Sequence, residues 1–230
     1  MLGDAPAAWQ TPPNCDKVLA IHLSVENFSQ EKGEKASMSF TVWFTGLPCS
    51  GKTTLSRRLY NHLKQWDGQV HLMDGDAIRA QLPRPLSFSK QDRDLHGRRL
   101  GSLAQSMNDK GIICIVAAIT PYRETREHNR RNIANYIEIF CCCPVEVAES
   151  RDSRGLYAKA RSGKISHFTG ISDPYEEPEA PQVVVFTEQE DIDASLAKIL
   201  DYLEKQELIQ VTPEPPQQQE AEPQELSPVN

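Results

Sequence analysis

No apolar run in this sequence approaches 18 residues, which excludes a membrane-spanning helix. Nor does a basic segment followed by an apolar stretch open the chain, so a secretory leader is not expected. Cysteine is sparse, and no CxxC pair occurs among Cys15, Cys49, Cys114 and the run Cys141-Cys142-Cys143. Neighbours on a strand point to opposite faces, so the run cannot close on one metal ion. A zinc or disulfide framework is therefore not expected, and a reduced, cytoplasmic protein is. Cys114 and Cys141 fall in expected strands, where a thiol serves as a small hydrophobe. The six histidines show no metal-ligand spacing. Positive charge is also short, with 25 Lys and Arg against 32 Asp and Glu and a net charge of −7. That balance speaks against nucleic acid or an anionic membrane as partner, while leaving room for a local basic pocket for a small anion. Val211 to Asn230 contain no Lys or Arg and repeat Pro, Gln and Glu, the composition of a disordered tail over 209–230.

Against these absences stands one dense stretch, Phe40 to Thr54. Phe40 to Thr45 reads as a short apolar strand. Gly46-Leu47-Pro48-Cys49-Ser50-Gly51-Lys52-Thr53 fits G-x-x-x-x-G-K-[ST], and Leu55, Leu59 and Leu63 then follow at helical spacing. The glycines allow backbone N–H groups to line a nest for phosphate, and the helix N-terminus adds partial positive charge. Lys52 has the reach for terminal phosphates, and the Thr53 hydroxyl is a candidate Mg²⁺ ligand.

The rest of the chain alternates strands and helices. Strands are expected at 69–73, 112–119, 136–142 and 183–186. Helices are expected at 77–82, from a Ser89 N-cap to about residue 109, from Pro121 onward, from Pro144 to about Arg151, and at 192–203. Asp67-Gly68 marks a turn and Gly111 another. The pattern implies one α/β three-layer sandwich with a mainly parallel five-stranded sheet, of the P-loop nucleoside-triphosphate hydrolase-like kinase type. An N-terminal arm, 1–39, precedes the kinase domain at 40–208; Val18 to Leu23 is a short strand or arm and 26–38 a polar connection. Residues 152–178 are polar and basic with three glycines, a composition shared by a mobile lid and a solvated loop region.

Phosphoryl transfer needs a nucleotide clamp, Mg²⁺ and a group that orients or deprotonates the acceptor hydroxyl. Asp74-Gly75-Asp76 ends the second strand, where open α/β sheets bind ligands. Either carboxylate suits a magnesium-bound water or the acceptor; a plain turn is the alternative. Arg79, Arg93, Arg98 and Arg99 suit phosphate or sulfate oxygens, or a solvated helix face. Thr120, at the end of the third strand, reads as a crevice hydroxyl or a helix cap. Phe88 and Phe168 are stacking faces for a base, or contacts of a small satellite core.

Taken together, these motifs in this order resemble adenylylsulfate kinase, the APS kinase of sulfate activation. The resemblance covers about residues 40–208 and rests on the phosphate loop at 46–53, Asp74-Gly75-Asp76 with Arg79, Phe88-Ser89 with Asp92-Arg93, and Arg98-Arg99. It continues through Pro121-Tyr122-Arg123, Arg154-Gly155-Leu156-Tyr157 and Lys159-Ala160-Arg161. Phe168-Thr169-Gly170-Ile171 and Asp173-Pro174-Tyr175-Glu176, more specific than any P-loop, complete it. It implies transfer of the ATP γ-phosphate to the 3′-hydroxyl of adenosine 5′-phosphosulfate (APS), giving PAPS and ADP. By this resemblance Asp76 is the base or acceptor-orienting carboxylate, with Asp74 and Lys52 beside it. Gly46, Cys49, Ser50, Gly51, Lys52, Thr53, Thr54 and Arg151 would hold ATP, and Thr53 and Asp74 the Mg²⁺, directly or through water. Arg79, Phe88, Arg93, His96, Ile119, Thr120, Lys159 and Phe168 would bind APS, with Phe88 and Phe168 sandwiching its adenine and Lys159 on the lid. A homodimer is also implied, with neither nucleic acid nor membrane as partner.

Several positions depart from the family pattern. Ala77 replaces an asparagine in DGDN; Leu82-Pro83-Arg84-Pro85-Leu86-Ser87-Phe88 lacks an asparagine and a glycine; His96, followed by Gly97, stands where an asparagine is expected. Thr120 stands for a serine that can be phosphorylated in the family and keeps the hydroxyl, and the acidic pair before Pro174 is reduced to Ser172-Asp173. These changes concentrate on the acceptor side. Losing one substrate-binding amide costs about 1–3 kcal/mol if uncompensated. They leave two alternatives to consider: a related kinase for another nucleotide or small hydroxyl compound, and a catalytically weak nucleotide-binding regulatory protein.

Overall fold

A computed structural model describes residues 39–65 and 69–209. The expectations for the arm before residue 39, the Asp67-Gly68 turn and the acidic tail lie outside the described residues. Among those described, the strands are β1 (Thr41–Thr45), β2 (Val70–Asp74), β3 (Ile113–Ala117), β4 (Tyr136–Cys142) and β5 (Val183–Phe186). The helices are α1 (Lys52–Leu63), α2 (Gly75–Ala80), α3 (Lys90–Asn108), α4 (Arg123–Asn132), α5 (Val145–Ser150), α6 (Leu156–Arg161) and α7 (Ile192–Lys205). The five strands run parallel in the order β2-β3-β1-β4-β5, so the expected three-layer α/β architecture is the one found.

Alternation along β1 feeds two cores. Phe40, Val42 and Phe44 pack with Leu55, Leu59 and Leu63 of α1 and with Ile199 and Leu203 of α7. Trp43 points the other way, onto Met73, Leu100, Ala104, Cys114 and Val116. Each fully buried aliphatic side chain contributes roughly 1.5–3 kcal/mol. Trp43's face of β1 also carries two threonines, and both make side-chain hydrogen bonds. The Thr41 hydroxyl donates to Asn108 Oδ1 at 2.7 Å, and Asn108 Nδ2 donates to the Phe40 carbonyl at 3.1 Å, fixing the end of α3 to β1.

Helix α3 lies unusually close to α4 because two glycines share one of its faces. A Cβ on Gly97 would sit 2.6 Å from Thr125 Cγ2, and one on Gly101 would sit 2.3 Å from Asn129 Oδ1. Asn129 uses the proximity, donating to the Gly97 carbonyl at 3.2 Å.

Some boundaries differ from expectation for identifiable reasons. Helix α2 starts at Gly75, two residues before the predicted start, because Asp74 caps it: its Oδ1 accepts from the Asp76 and Ala77 amides at 3.0 and 3.1 Å. Ser89 caps α3 as predicted, accepting from the Asp92 amide. Strand β3 stops at Ala117, short of Ile119, because the next carbonyls bond to side chains instead of a neighbouring strand. Residues 152–178 are not simply solvated. They contain α6, and Tyr157, Ala160 and Phe168 form a third core with Cys143 and Ala148. Cys114 and Cys141 are buried in β3 and β4, and burial pushes both thiols up to about 12, which makes them inert hydrophobes.

The α3–α4 contact yields a direct test. Gly101→Ala forces a methyl onto Asn129 and should lower stability by about 1–3 kcal/mol, read as a shifted urea midpoint with an unchanged slope.

Candidate active site

The phosphate loop departs from regular structure where its sequence allows. Gly46 has φ 147°, and a Cβ there would lie 2.6 Å from the Cys141 carbonyl, so β4 approaches the loop backbone directly. Gly51 enters α1 in the left-handed region, with φ 93°, and Cys49 takes φ 60°. Lys52 is buried, and its ammonium donates to the carbonyls of Gly46 and Leu47 at 3.0 and 2.5 Å and to Ser50 Oγ at 3.4 Å. Burial lowers its pKa, and nearby anionic groups, including the Asp76 and Asp74 carboxylates, oppose that shift. A cation in a cradle of oxygens at a helix N-terminus is arranged to exchange those oxygens for phosphate.

The loop forms one wall of a cavity of about 1310 Å³. Ser50, Lys52, Thr53 and Thr54 line it, and Arg151 and Thr187 close that end. Arg151 donates to the Thr187 hydroxyl at 3.1 Å and to its carbonyl at 2.6 Å. Asp74 and Asp76 lie on the same cavity, where β2 runs into α2. Phe88 also lines the cavity; it is 49% exposed, with the guanidinium carbons of Arg79 and Arg93 lying 4.7 and 5.2 Å from its ring centroid. Arg93 also joins two segments, donating from Nε to the Phe88 carbonyl at 2.9 Å and from a terminal nitrogen to the His167 carbonyl at 2.7 Å. Phe168 lines the cavity with its ring edge-on to Tyr157 at 4.9 Å, so it is a cavity wall and a core contact at once.

The end of β3 is held with unusual completeness. Thr120 has φ 41°, a rare conformation for a β-branched residue and one that persists only when surroundings impose it. Its hydroxyl accepts from Trp43 Nε1 at 3.1 Å and its carbonyl accepts from Arg126 at 2.6 Å. It does not cap α4, whose N-cap position is Tyr122. The Ile119 carbonyl accepts from Thr45 Oγ1 at 2.7 Å, and Thr45 is in hydrogen-bond contact with the Tyr175 hydroxyl at 2.8 Å. Arg126, 1% exposed, also donates to the Glu176 carbonyl and pairs with Glu138 at 3.2 Å. Arg130 completes the Glu138 carboxylate at 2.7 Å. Burial raises the pKa of Glu138, and the two guanidiniums act against the shift.

Most sequence-selected residues therefore meet at one cavity: Cys49, Ser50, Gly51, Lys52, Thr53, Thr54, Asp74, Asp76, Arg79, Phe88, Arg93, His96, Ile119, Thr120, Arg151 and Phe168. Gly46 stands behind the loop and contributes its carbonyl to Lys52. Lys159 is outside the cavity wall, exposed on α6 with Nζ 3.5 Å from the Arg154 carbonyl. Arg98 is turned outward onto Glu124 at 2.8 Å. His96 is buried, and its Nε2 donates to the Gly75 carbonyl at 2.9 Å. Three site elements escaped sequence reasoning: Trp43, Arg126 and Thr187. A signal for Arg126 existed in Glu138, a carboxylate inside the apolar strand Tyr136-Ile137-Glu138-Ile139-Phe140, which demands a buried cation.

The profile of the family described as adenylylsulphate kinase matches residues 38–186. The chain belongs to the adenylylsulfate kinase family. The adenylyl-sulfate kinase of Synechococcus sp. (strain JA-2-3B'a(2-13)) is 47% identical over 163 residues, 71% of this chain and 93% of that relative. Among solved structures, the Mycobacterium tuberculosis APS kinase CysC in complex with AMPPNP and APS superposes with a TM-score of 0.69 at 38% identity, covering 73% of this chain and 98% of that one. A hexameric APS kinase from Thiobacillus denitrificans has a TM-score of 0.58 at 31% identity, covering 77% of this chain and 31% of that one.

Within this family member the buried ion pair is testable separately from chemistry. Arg126→Met leaves Glu138 short of a partner and should cost about 3–5 kcal/mol in chemical unfolding. Adding Glu138→Leu to that variant should recover part of the loss.

Proposed function

We propose that this chain transfers the γ-phosphate of ATP to the 3′-hydroxyl of adenosine 5′-phosphosulfate, giving PAPS and ADP. The observation that carries the reading is one cavity lined by the Lys52 loop, by Phe88 with the Arg79 and Arg93 guanidiniums against its ring, and by Asp74 and Asp76. In the reaction the acceptor oxygen bonds to the γ-phosphorus as the bond to the bridging β-γ oxygen breaks. Asp76 takes or orients the hydroxyl proton, and Lys52 exchanges its loop carbonyls for the phosphates. Arg79 and Arg93 hold the anionic end of APS, with Phe88 and Phe168 against its base.

Thr53 and Asp74 fit Mg²⁺, which prefers hard oxygen ligands and keeps most of its shell as water and substrate phosphate. Asp74 uses Oδ1 for its helix cap, so Oδ2 is the oxygen assigned to the ion or its water. Among the described residues no group of three or more His, Cys, Asp or Glu is placed to hold a metal ion. Bound Mg²⁺ would neutralise charge on the β- and γ-phosphates.

Residues 152–178 are assigned as the lid of a kinase domain at 40–208. Tyr157 donates to the Pro48 carbonyl at 3.0 Å, which ties α6 to the phosphate loop and offers a route by which filling the loop moves the lid. Lys159 would then reach the phosphates by closure. A homodimer in the cytoplasm is the assigned state; the hexameric relative makes mass in solution the deciding measurement. The departures on the acceptor wall favour no second substrate, because two of them make hydrogen bonds within the protein. Ser87 donates from its amide and hydroxyl to Asp92 at 2.7 and 2.5 Å, and His96 bonds Gly75.

The test is ADP release from ATP and Mg²⁺ with APS, against AMP and adenosine, with PAPS identified as product. APS-dependent turnover is expected, and Lys52→Ala should lower kcat by about 10²-fold or more. No APS-dependent turnover in protein that binds ATP would overturn the reading in favour of another acceptor or a binding role.

A further inference from the structure

His96 stands where the family pattern has an amide and lines the cavity, which first suggests a substrate ligand. Its geometry says otherwise. The ring is 8% exposed, and Nε2, 2.9 Å from the Gly75 carbonyl, must carry the proton because a carbonyl only accepts. The other nitrogen, Nδ1, is enclosed and has no hydrogen-bond partner. Neither nitrogen is therefore presented to the cavity. The carbonyl that His96 holds belongs to the residue between Asp74 and Asp76, at the first residue of α2. Gly75 is pressed from its other side as well, since a Cβ there would lie 3.0 Å from Ala118 Cβ and 3.2 Å from the Ala117 carbonyl. A buried imidazole on α3 and the end of β3 thus grip the peptide that aims both carboxylates.

We propose that His96 is a positioning residue for the Asp74-Gly75-Asp76 turn, acting through the Gly75 carbonyl, and not a ligand of the acceptor substrate. The proposal rests on the reading above for its kinetic consequence only. A group that aligns the acceptor-orienting carboxylate is felt in the transition state, whereas a substrate ligand is felt in ground-state binding too. A misplacement of about 1 Å costs up to about 10²-fold in rate.

The experiment compares His96→Leu, His96→Gln and His96→Asn with the parent protein. The Gln amide nitrogen reaches the place of Nε2, and the Asn amide nitrogen reaches only that of Nδ1. His96→Leu should lower kcat on the order of 10–10²-fold with KM for APS and for ATP held within about twofold. His96→Gln should recover most of that loss and His96→Asn should not. Amide hydrogen exchange at Asp76 and Ala77, whose N–H groups bond Asp74, should quicken in His96→Leu and return toward the parent rate in His96→Gln. This second readout needs no turnover, so an unchanged exchange rate overturns the positioning role even if APS proves not to be the acceptor. A raised KM for APS with kcat preserved, or equal recovery by Asn and Gln, would also overturn it.

Discussion

The guanidinium of Arg126 is the fixed point around which the acceptor side is assembled. It is buried between α4 and β4, paired with Glu138, and donates to two carbonyls from segments far apart in sequence, those of Thr120 and Glu176. Glu176 also closes back on the start of α4: its amide donates to the Pro121 carbonyl at 2.9 Å, and its carboxylate accepts from the Arg123 amide at 2.8 Å. The strained Thr120 backbone is tolerable because its hydroxyl and its carbonyl are both held by buried donors, Trp43 and Arg126. A buried ion pair is a poor source of net stability, since desolvation offsets much of its attraction. Its value here is geometric. It makes the rim of the cavity and the segment around Glu176 a single unit.

A second coupling runs from the phosphate loop to residues 152–178. Tyr157 binds the Pro48 carbonyl, and Gly170, in the left-handed region at φ 90°, brings its backbone against Leu47; a Cβ there would lie 2.8 Å from Leu47 Cδ2. Leu47 and Pro48 are variable positions in the general phosphate-loop pattern, so the Leu47 side chain and the Pro48 carbonyl are available for this contact. The same economy shows on the acceptor wall. Ser87 and His96 both differ from the family pattern, yet each completes a local hydrogen bond, one to Asp92 and one to Gly75. Ser87, with amide and hydroxyl both on Asp92, leaves no desolvated group there.

The sequence by itself determined the sheet, the order of strands and helices along the chain, the phosphate loop and the family, because these rest on local rules: apolar runs, helical leucine spacing, glycines at forced turns and motifs read in register. It also brought forward most of the residues that line the cavity, since a phosphate-transfer site needs Lys, Asp and Arg at the ends of strands. The tertiary structure alone decided which partners those residues meet there. Arg126 in Arg-Glu-Thr-Arg-Glu-His-Asn-Arg-Arg reads as one more solvated basic side chain until β4 places Glu138 against it. Thr120 reads equally well as a cap until Trp43 and Arg126 occupy its hydroxyl and carbonyl. His96 reads as a replaced substrate amide until its nitrogen is seen on Gly75. In each case the deciding partner lies on another element, and the direction of a hydrogen bond across that distance is not encoded in any local pattern.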